Sequence, residues 1–325
     1  MNKKKRSFFK MLWNFTVKIC QQAQIPLYVE RHDPKIFTTV QKIFLCLYKL
    51  KKRLTLRGLI DDLSTSKVVE FLHLPRIPNF STLSYFVTTL PSNVLAAVDD
   101  AVQQLLPSFD GVIIDSTGFE CTYPSHYYCR RINSPYPVDG FITLHALIDQ
   151  ENGFVRTHKT SVKKIHDSRM LRPLVRKLHR KPAHLYADRG YDSEENYRFL
   201  VEEIDCVPLI LQKNILKPLH KCKGEHRREM RAVFDYGEYL KRNKIEAIFS
   251  SIKRKYGCAL STRKTKTQRK EVTLKIILYN IEKKLRIILI IIFRRKTFQQ
   301  SPNMELIRRY ADRHRTDFGP CEQNH

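Results

Sequence analysis

Three acidic residues stand out by type and position. Asp115 closes the apolar run Gly111-Val112-Ile113-Ile114, Asp188 follows the short apolar stretch from His184 to Ala187, and Glu246 lies between Arg242 and Lys253. A charge at the end of a buried strand costs several kcal/mol unless it is paired or metal-bound. Alone, each acid has a bland reading: a strand-end turn, a helix cap, or an intrahelical pair of Arg242 with Glu246, four residues apart. Converging on one point, they would repel one another, and their pKa values would rise unless a cation offset the charge. Oxygen-only ligands suit Mg²⁺ or Mn²⁺. Two such ions about 3.5–4 Å apart would activate a water or a 3′-hydroxyl for phosphodiester chemistry.

The elements that must position these acids are legible in outline. If 238–256 is one helix, Tyr239, Arg242, Glu246 and Lys253 share an arc of roughly 60°. Ile245, Ile248, Phe249, Ile252 and Tyr256 fill the neighbouring arc and would pack on a sheet. The spacing predicts strands at 111–115, 141–148, 154–161, 184–188 and 206–211, with Asn152-Gly153 as a hairpin turn. Helices are expected at 168–179 and 193–203. This alternation implies an α/β fold, a mixed sheet covered by helices on both faces. Residues 33–108 read instead as helices punctuated by Pro75, Pro78, Pro91 and Pro107. Residues 67–72, a Pro-Arg-Ile-Pro turn and a helix capped near Asn79 or Ser81 have the order of a helix-turn-helix, and equally of ordinary helical packing. The expected division is a basic arm at 1–32, a helical DNA-binding or dimerisation domain at 33–108, a catalytic domain at 109–285, and a C-terminal helix and tail of no assigned role at 286–325.

Composition narrows the partner. The 325 residues carry 59 Lys and Arg against 32 Asp and Glu, a formal net charge of +27. A small domain ordinarily carries about 2–8 charges in excess, so nucleic acid is the first partner to consider and an anionic membrane surface the second. A hydrophobic content of 42% excludes a disordered basic tail. The apolar run from Ile287 to Phe293 falls short of the ~20 residues that span a bilayer, and no secretory signal is expected. Eight scattered Cys without a C-x-x-C pair read as reduced thiols in a cytosol, and His220, Cys222 and His226 fit no common zinc spacing. The basic run 241–270, including Lys253, Arg254 and Lys255, is assigned to DNA backbone contact. Tyr127, Tyr128, Arg130 and Arg131 interleave aromatics with bases, which suits stacking on a strand end or core packing. His166 has a supporting or phosphate-contacting role open to it, and a structural one; His145 reads as structural.

The spacing Y-x₂-R-x₃-E-x₆-K at Tyr239, Arg242, Glu246 and Lys253 resembles the signature of the DDE transposases of bacterial and archaeal insertion sequences. Asp115 in Ile114-Asp115-Ser116-Thr117-Gly118-Phe119 is similar to the family's first-Asp motif, and Ala187-Asp188-Arg189-Gly190-Tyr191-Asp192 to its second. His166-Asp167-Ser168 resembles a further family segment, and the likeness runs from about Phe109 to Lys284. It implies a ribonuclease-H-like fold with a five-stranded mixed sheet flanked by helices, preceded by an all-helical domain. It implies the catalytic and metal-binding triad Asp115, Asp188 and Glu246, with two Mg²⁺ or Mn²⁺ ions. It also implies cleavage at transposon ends followed by 3′-hydroxyl attack on target DNA, in a prokaryotic, nucleoid-associated setting. A homodimer on DNA is expected, with no small-molecule substrate and no membrane. The stretch 214–238 leaves no room for the large strand insertion some relatives carry between the second Asp and the Glu. The segment after Lys284 matches no family motif. Other readings are a catalytically silent DNA-binding derivative and a ribonuclease-H-like host nuclease.

Overall fold

The computed structural model describes residues 8–29, 35–121, 141–162, 165–213 and 218–299, with side chains as far as 291. The chain divides into two compact units, Met1–Ile281 and Glu282–His325.

The first unit begins with six helices. They are α1 (Phe8–Gln22), α2 (Thr39–Lys52), α3 (Leu56–Thr65), α4 (Val68–Leu72), α5 (Phe80–Thr89) and α6 (Ser92–Gln104). A reciprocal capping box starts α2: the Thr38 hydroxyl accepts from the Gln41 N–H, and the Gln41 side chain accepts from the Thr38 N–H. Helix α2 is apolar almost all round, with Ile43, Phe44, Leu45, Leu47 and Tyr48 buried, so it forms the axis of the helical layer. Asn79 caps α5 as expected, its side chain accepting from the Ser81 N–H. Within the residues expected to form a basic arm, α1 buries Leu12 and Ile19 and packs on α2 and α6. Its apolar residues recur at helical spacing despite Lys10 and Lys18.

The sheet follows as β1 (Gly111–Cys121), β2 (Phe141–Asp149), β3 (Val155–Ser161), β4 (His184–Ala187), β5 (Val207–Ile210) and β6 (Ala259–Leu260). The order is β3-β2-β1-β4-β5, with β6 pairing β1. Strands β1, β2 and β3 are antiparallel neighbours, while β4, β5 and β6 run parallel to their partners. This is the mixed sheet expected of a ribonuclease-H-like fold, with a sixth, two-residue strand added to the expected five. Lys275, fully buried, holds that addition by donating to the carbonyls of Gly257 at 2.9 Å and Ala259 at 3.1 Å. At the start of β3, Asn280 accepts from the Val155 N–H at 3.0 Å and donates to its carbonyl at 2.8 Å.

The remaining helices are α7 (Ser168–Val175), α8 (Glu194–Arg198), α9 (Glu225–Ala232), α10 (Tyr236–Tyr239), α11 (Lys244–Tyr256) and α12 (Thr265–Gln299). Three expectations change here. Strand β1 does not end at Asp115; it continues to Cys121 because β2 pairs with it as far as Glu120. Helix α7 stops at Val175, short of 179, with Pro173 in its last turn. The expected helix 238–256 is broken: Leu240–Asn243 form a tighter 3₁₀ turn between α10 and α11, so Tyr239 and Arg242 do not share one uniform helical arc with Glu246 and Lys253. In the second unit the C-terminal part of α12 carries the Arg286–Glu282 pair at 4.0 Å and exposes Ile290 and Ile291.

Candidate active site

The site is built where β1 outruns its neighbour. Strand β4 pairs with β1 only from Gly111 to Ile113, and β6 takes up the same side only at Glu120. Between them lies a notch at the carboxyl end of β4, the place where α/β sheets collect ligands. Ile113 is level with Tyr186. Asp115 lies two residues beyond Ile113 on β1 and Asp188 two beyond Tyr186, just past the end of β4, and Asp188 is near enough to act on the Asp115 carboxyl.

Each acid is held locally. Asp115 Oδ1 accepts from the Ser116 N–H at 2.8 Å. Asp188 caps the 3₁₀ turn Arg189–Tyr191, its Oδ1 accepting from the Gly190 N–H at 2.8 Å. Burial pushes the Asp115 carboxyl up to about 6; the Ser116 N–H and Arg242 oppose the rise, and Asp188 and Asp167 add to it.

Glu246, in the first turn of α11, is 66% exposed and reaches the site through Arg242. The Arg242 Nη1 atom lies 3.4 Å from Glu246 Oε1 and 3.8 Å from Asp115 Oδ2. One guanidinium nitrogen therefore stands between the two acids. Arg242 Nε donates to the Tyr239 hydroxyl at 3.3 Å, and the Tyr239 ring is buried against Phe234 and Tyr236. Burial alone would lower the Arg242 pKa, but Tyr239 and the two aspartates outweigh it and raise it.

Further along α11, Lys253 Nζ lies 5.8 Å over the Phe119 ring of β1, Lys255 lies 5.4 Å over Tyr279, and Arg254 is exposed. His166 bonds Ser168 at 2.8 Å beside the start of α7. Arg130 and Arg131, with Tyr127 and Tyr128, lie outside the described residues.

The sequence reasoning missed the part Asp167 takes in this neighbourhood. Gly190 makes the close approach possible: a Cβ there would sit 3.0 Å from Asp188 Oδ1 and 3.3 Å from Asp167 Oδ2. The only local signal was the His166-Asp167-Ser168 segment, which says nothing of where the carboxylate goes. Asp192, two residues beyond Gly190, turns away from the notch. Its carboxylate is fully buried and takes a two-pronged pair from Arg227, Nε to Oδ1 at 2.8 Å and Nη2 to Oδ2 at 2.7 Å.

The donor chemistry fits a hard divalent cation: carboxylates only, one of them partly desolvated, with Arg242 as the cation between Asp115 and Glu246. Among the described residues, however, no three His, Cys, Asp or Glu side chains are drawn together into a ready-made metal cage. The acids form a loose cluster, with a guanidinium between Asp115 and Glu246.

The profile of the transposase DDE domain family matches residues 107–281. No curated protein matches the chain in sequence. Among solved structures, the chain is similar to a piggyBac transposase synaptic complex with hairpin DNA, with a TM-score of 0.47 and 10% identity over 84% of this chain and 73% of that one; so distant a likeness carries no argument about the site. The family match is different in kind, because it takes in more than half of the sequence and every strand of the sheet: this chain belongs to the transposase DDE domain family.

Proposed function

We propose that the chain is the DNA transposase of an insertion sequence. It binds the element's terminal inverted repeats and catalyses Mg²⁺-dependent strand cleavage and 3′-hydroxyl strand transfer. The observation that carries this reading is the Arg242 nitrogen standing between Asp115 and Glu246, with Asp188 near enough to Asp115 to raise its pKa. Asp115, Asp188 and Glu246 would hold the divalent ions, two in number and Mg²⁺ or Mn²⁺ in kind. When bound, such ions polarise the scissile phosphate and activate the attacking oxygen. Arg242, beside the acids, and Lys253, Arg254 and Lys255, in the last turn of α11, suit the phosphate backbone, with Tyr239 fixing Arg242 from behind. Arg130 and Arg131 belong to the same proposed DNA surface. The working form is a homodimer on DNA, since two transposon ends must be held together. The net charge of +27 and the cysteines Cys20, Cys46, Cys206, Cys222 and Cys258, which form no disulfide, suit a cytoplasmic protein beside a nucleoid.

One observation favours a second reading, a DNA-binding derivative without catalysis: the described acids form no preassembled metal cage. A nicking assay on DNA carrying the inverted repeats separates the two. Asp115→Asn, Asp188→Asn and Glu246→Gln are each expected to abolish Mg²⁺-dependent nicking while leaving DNA binding within about twofold. A wild-type chain that binds but never nicks would support the silent derivative. Variants that cut at the wild-type rate would remove these carboxylates from the chemistry.

A further inference from the structure

Asp167 stands immediately before α7, yet its carboxylate does not cap that helix. It is turned instead towards the sheet. Asp167 Oδ1 lies 3.4 Å from Nδ1 of His145, a long contact, and the Ser116 hydroxyl donates to the same carboxylate. These two residues sit directly opposite each other on β2 and β1. His145 is fixed from behind, its Nε2 lying 3.2 Å from the Ser161 hydroxyl on β3. Three neighbouring strands therefore aim one carboxylate at the Asp188–Gly190 turn, where its other oxygen packs on Gly190.

A group of acids would by itself say little. The second observation is Tyr191, which is fully buried and whose hydroxyl has no hydrogen-bond partner. The charged groups that act on it are, in order, Asp167, Asp115, Asp188 and Arg242. An orphaned buried hydroxyl costs about 1–3 kcal/mol. Tyr191 stands in the turn that Asp188 caps and on whose Gly190 the Asp167 oxygen packs, and its orphaned hydroxyl points to something held there in the working state that satisfies it.

We propose that Asp167 is a further acidic residue of the ion-binding site and that it helps Asp115 and Asp188 hold the divalent cation. His145 and Ser116 are its positioning residues. The inference rests on the reading of Asp115 and Asp188 as ion-binding groups, and its test keeps the two apart. Mn²⁺ is titrated into the full chain without DNA, and free Mn²⁺ is followed by electron paramagnetic resonance. Asp115→Asn tests the underlying reading, and Asp167→Asn tests the inference; Asn keeps the side-chain shape and removes the charge.

Both variants are expected to bind Mn²⁺ about tenfold or more weakly, the range seen when groups supporting a metal site are removed. Circular dichroism and thermal melting should stay as in the wild type. Weak binding in Asp115→Asn with Asp167→Asn within twofold of wild type would overturn the inference and leave the reading standing. Unchanged binding in both would overturn the reading itself. If Asp167→Asn loses its fold, Asp167→Ser, shown to be folded by circular dichroism, decides: a loss of Mn²⁺ affinity of about tenfold or more supports the proposal, and affinity within twofold of wild type overturns it.

Discussion

Arg242 is the residue on which the charge of the notch turns, since a single nitrogen of it neighbours acids from both β1 and α11. An arginine so placed can serve the carboxylates or a phosphate, and the rigid fork of its donors suits either. If it meets DNA when DNA is present, Arg242→Gln should lower the slope of log affinity against log salt by about 0.9, the share of one neutralised phosphate. Lys253→Ala should do the same, and a filter-binding series over salt would read both. Unchanged slopes would leave Arg242 to the carboxylates and Lys253 to the Phe119 ring. At this scale the sequence revealed what is local. An acid after an apolar run is visible in a single stretch of letters, as at Asp115 and Asp188. The importance of Asp167 depends on Ser116 and His145 coming from two other strands, and no spacing within the chain records that. Asp192 shows the opposite effect, standing inside the second motif while serving Arg227 from 35 residues away.

Between the residues and the fold lie the elements that hold the notch open. The turn after β4 is stapled to α9 by the Asp192–Arg227 pair, and the Lys213 N–H adds a third donor at 2.8 Å. Arg227→Met would leave a fully buried carboxylate almost unpaired and should destabilise the protein by about 3–5 kcal/mol in urea unfolding; a loss under 1 kcal/mol would show the pair to be dispensable. A second pair joins α6 to β3, where Asp99 Oδ2 lies 3.4 Å from His158 Nδ1. Burial pushes the Asp99 carboxyl up to about 7, with Asp100 adding to it, and pushes the His158 imidazole down to about 4, with Lys177 adding. Between those values both are neutral, so the contact is no ion pair.

The two groups pull stability in opposite directions. The Asp99 share is present in acid and lost as pH rises from about 4 towards 7, whereas the His158 share is lost as pH falls from about 6.5 towards 4. Asp99→Asn should therefore melt at rising temperature as pH climbs through this window, and His158→Gln at falling temperature. Parallel melting curves for the two variants would contradict the assignment. Elements were legible in the sequence where periodicity or a cap marks them, as in the β2–β3 hairpin and α5. They were misread where tertiary pairing decides. Asp115 looked like a strand end because apolar residues stop there, but β2 carries the strand on. The run 238–256 looked like one helix because periodicity is blind to a 3₁₀ turn.

Taken whole, the molecule is a polycation, with 59 Lys and Arg against 32 Asp and Glu. With +27 net charge, its affinity for DNA should fall about a thousandfold or more between 50 and 200 mM salt; a shallow dependence in a binding titration would mean that most of the basic surface does not meet phosphate. No helix among the described residues is long and apolar enough to cross a membrane. The fold class could be read from the order of strands and helices. The sixth strand could not, since it is two residues long and is held by pairing with the far end of β1 and by the bonds of buried Lys275 to two carbonyls. In the proposed function, acids far apart in the chain share a divalent ion at the notch. Ferrous iron, substituted for magnesium in the presence of ascorbate and peroxide, cuts a polypeptide beside the bound ion, and the fragments can be sized directly. Cuts next to 115, 188 and 246, suppressed by excess Mg²⁺ and lost in Asp115→Asn, are the predicted result; cuts that leave the region of 246 untouched, or that persist in Asp115→Asn, would contradict it.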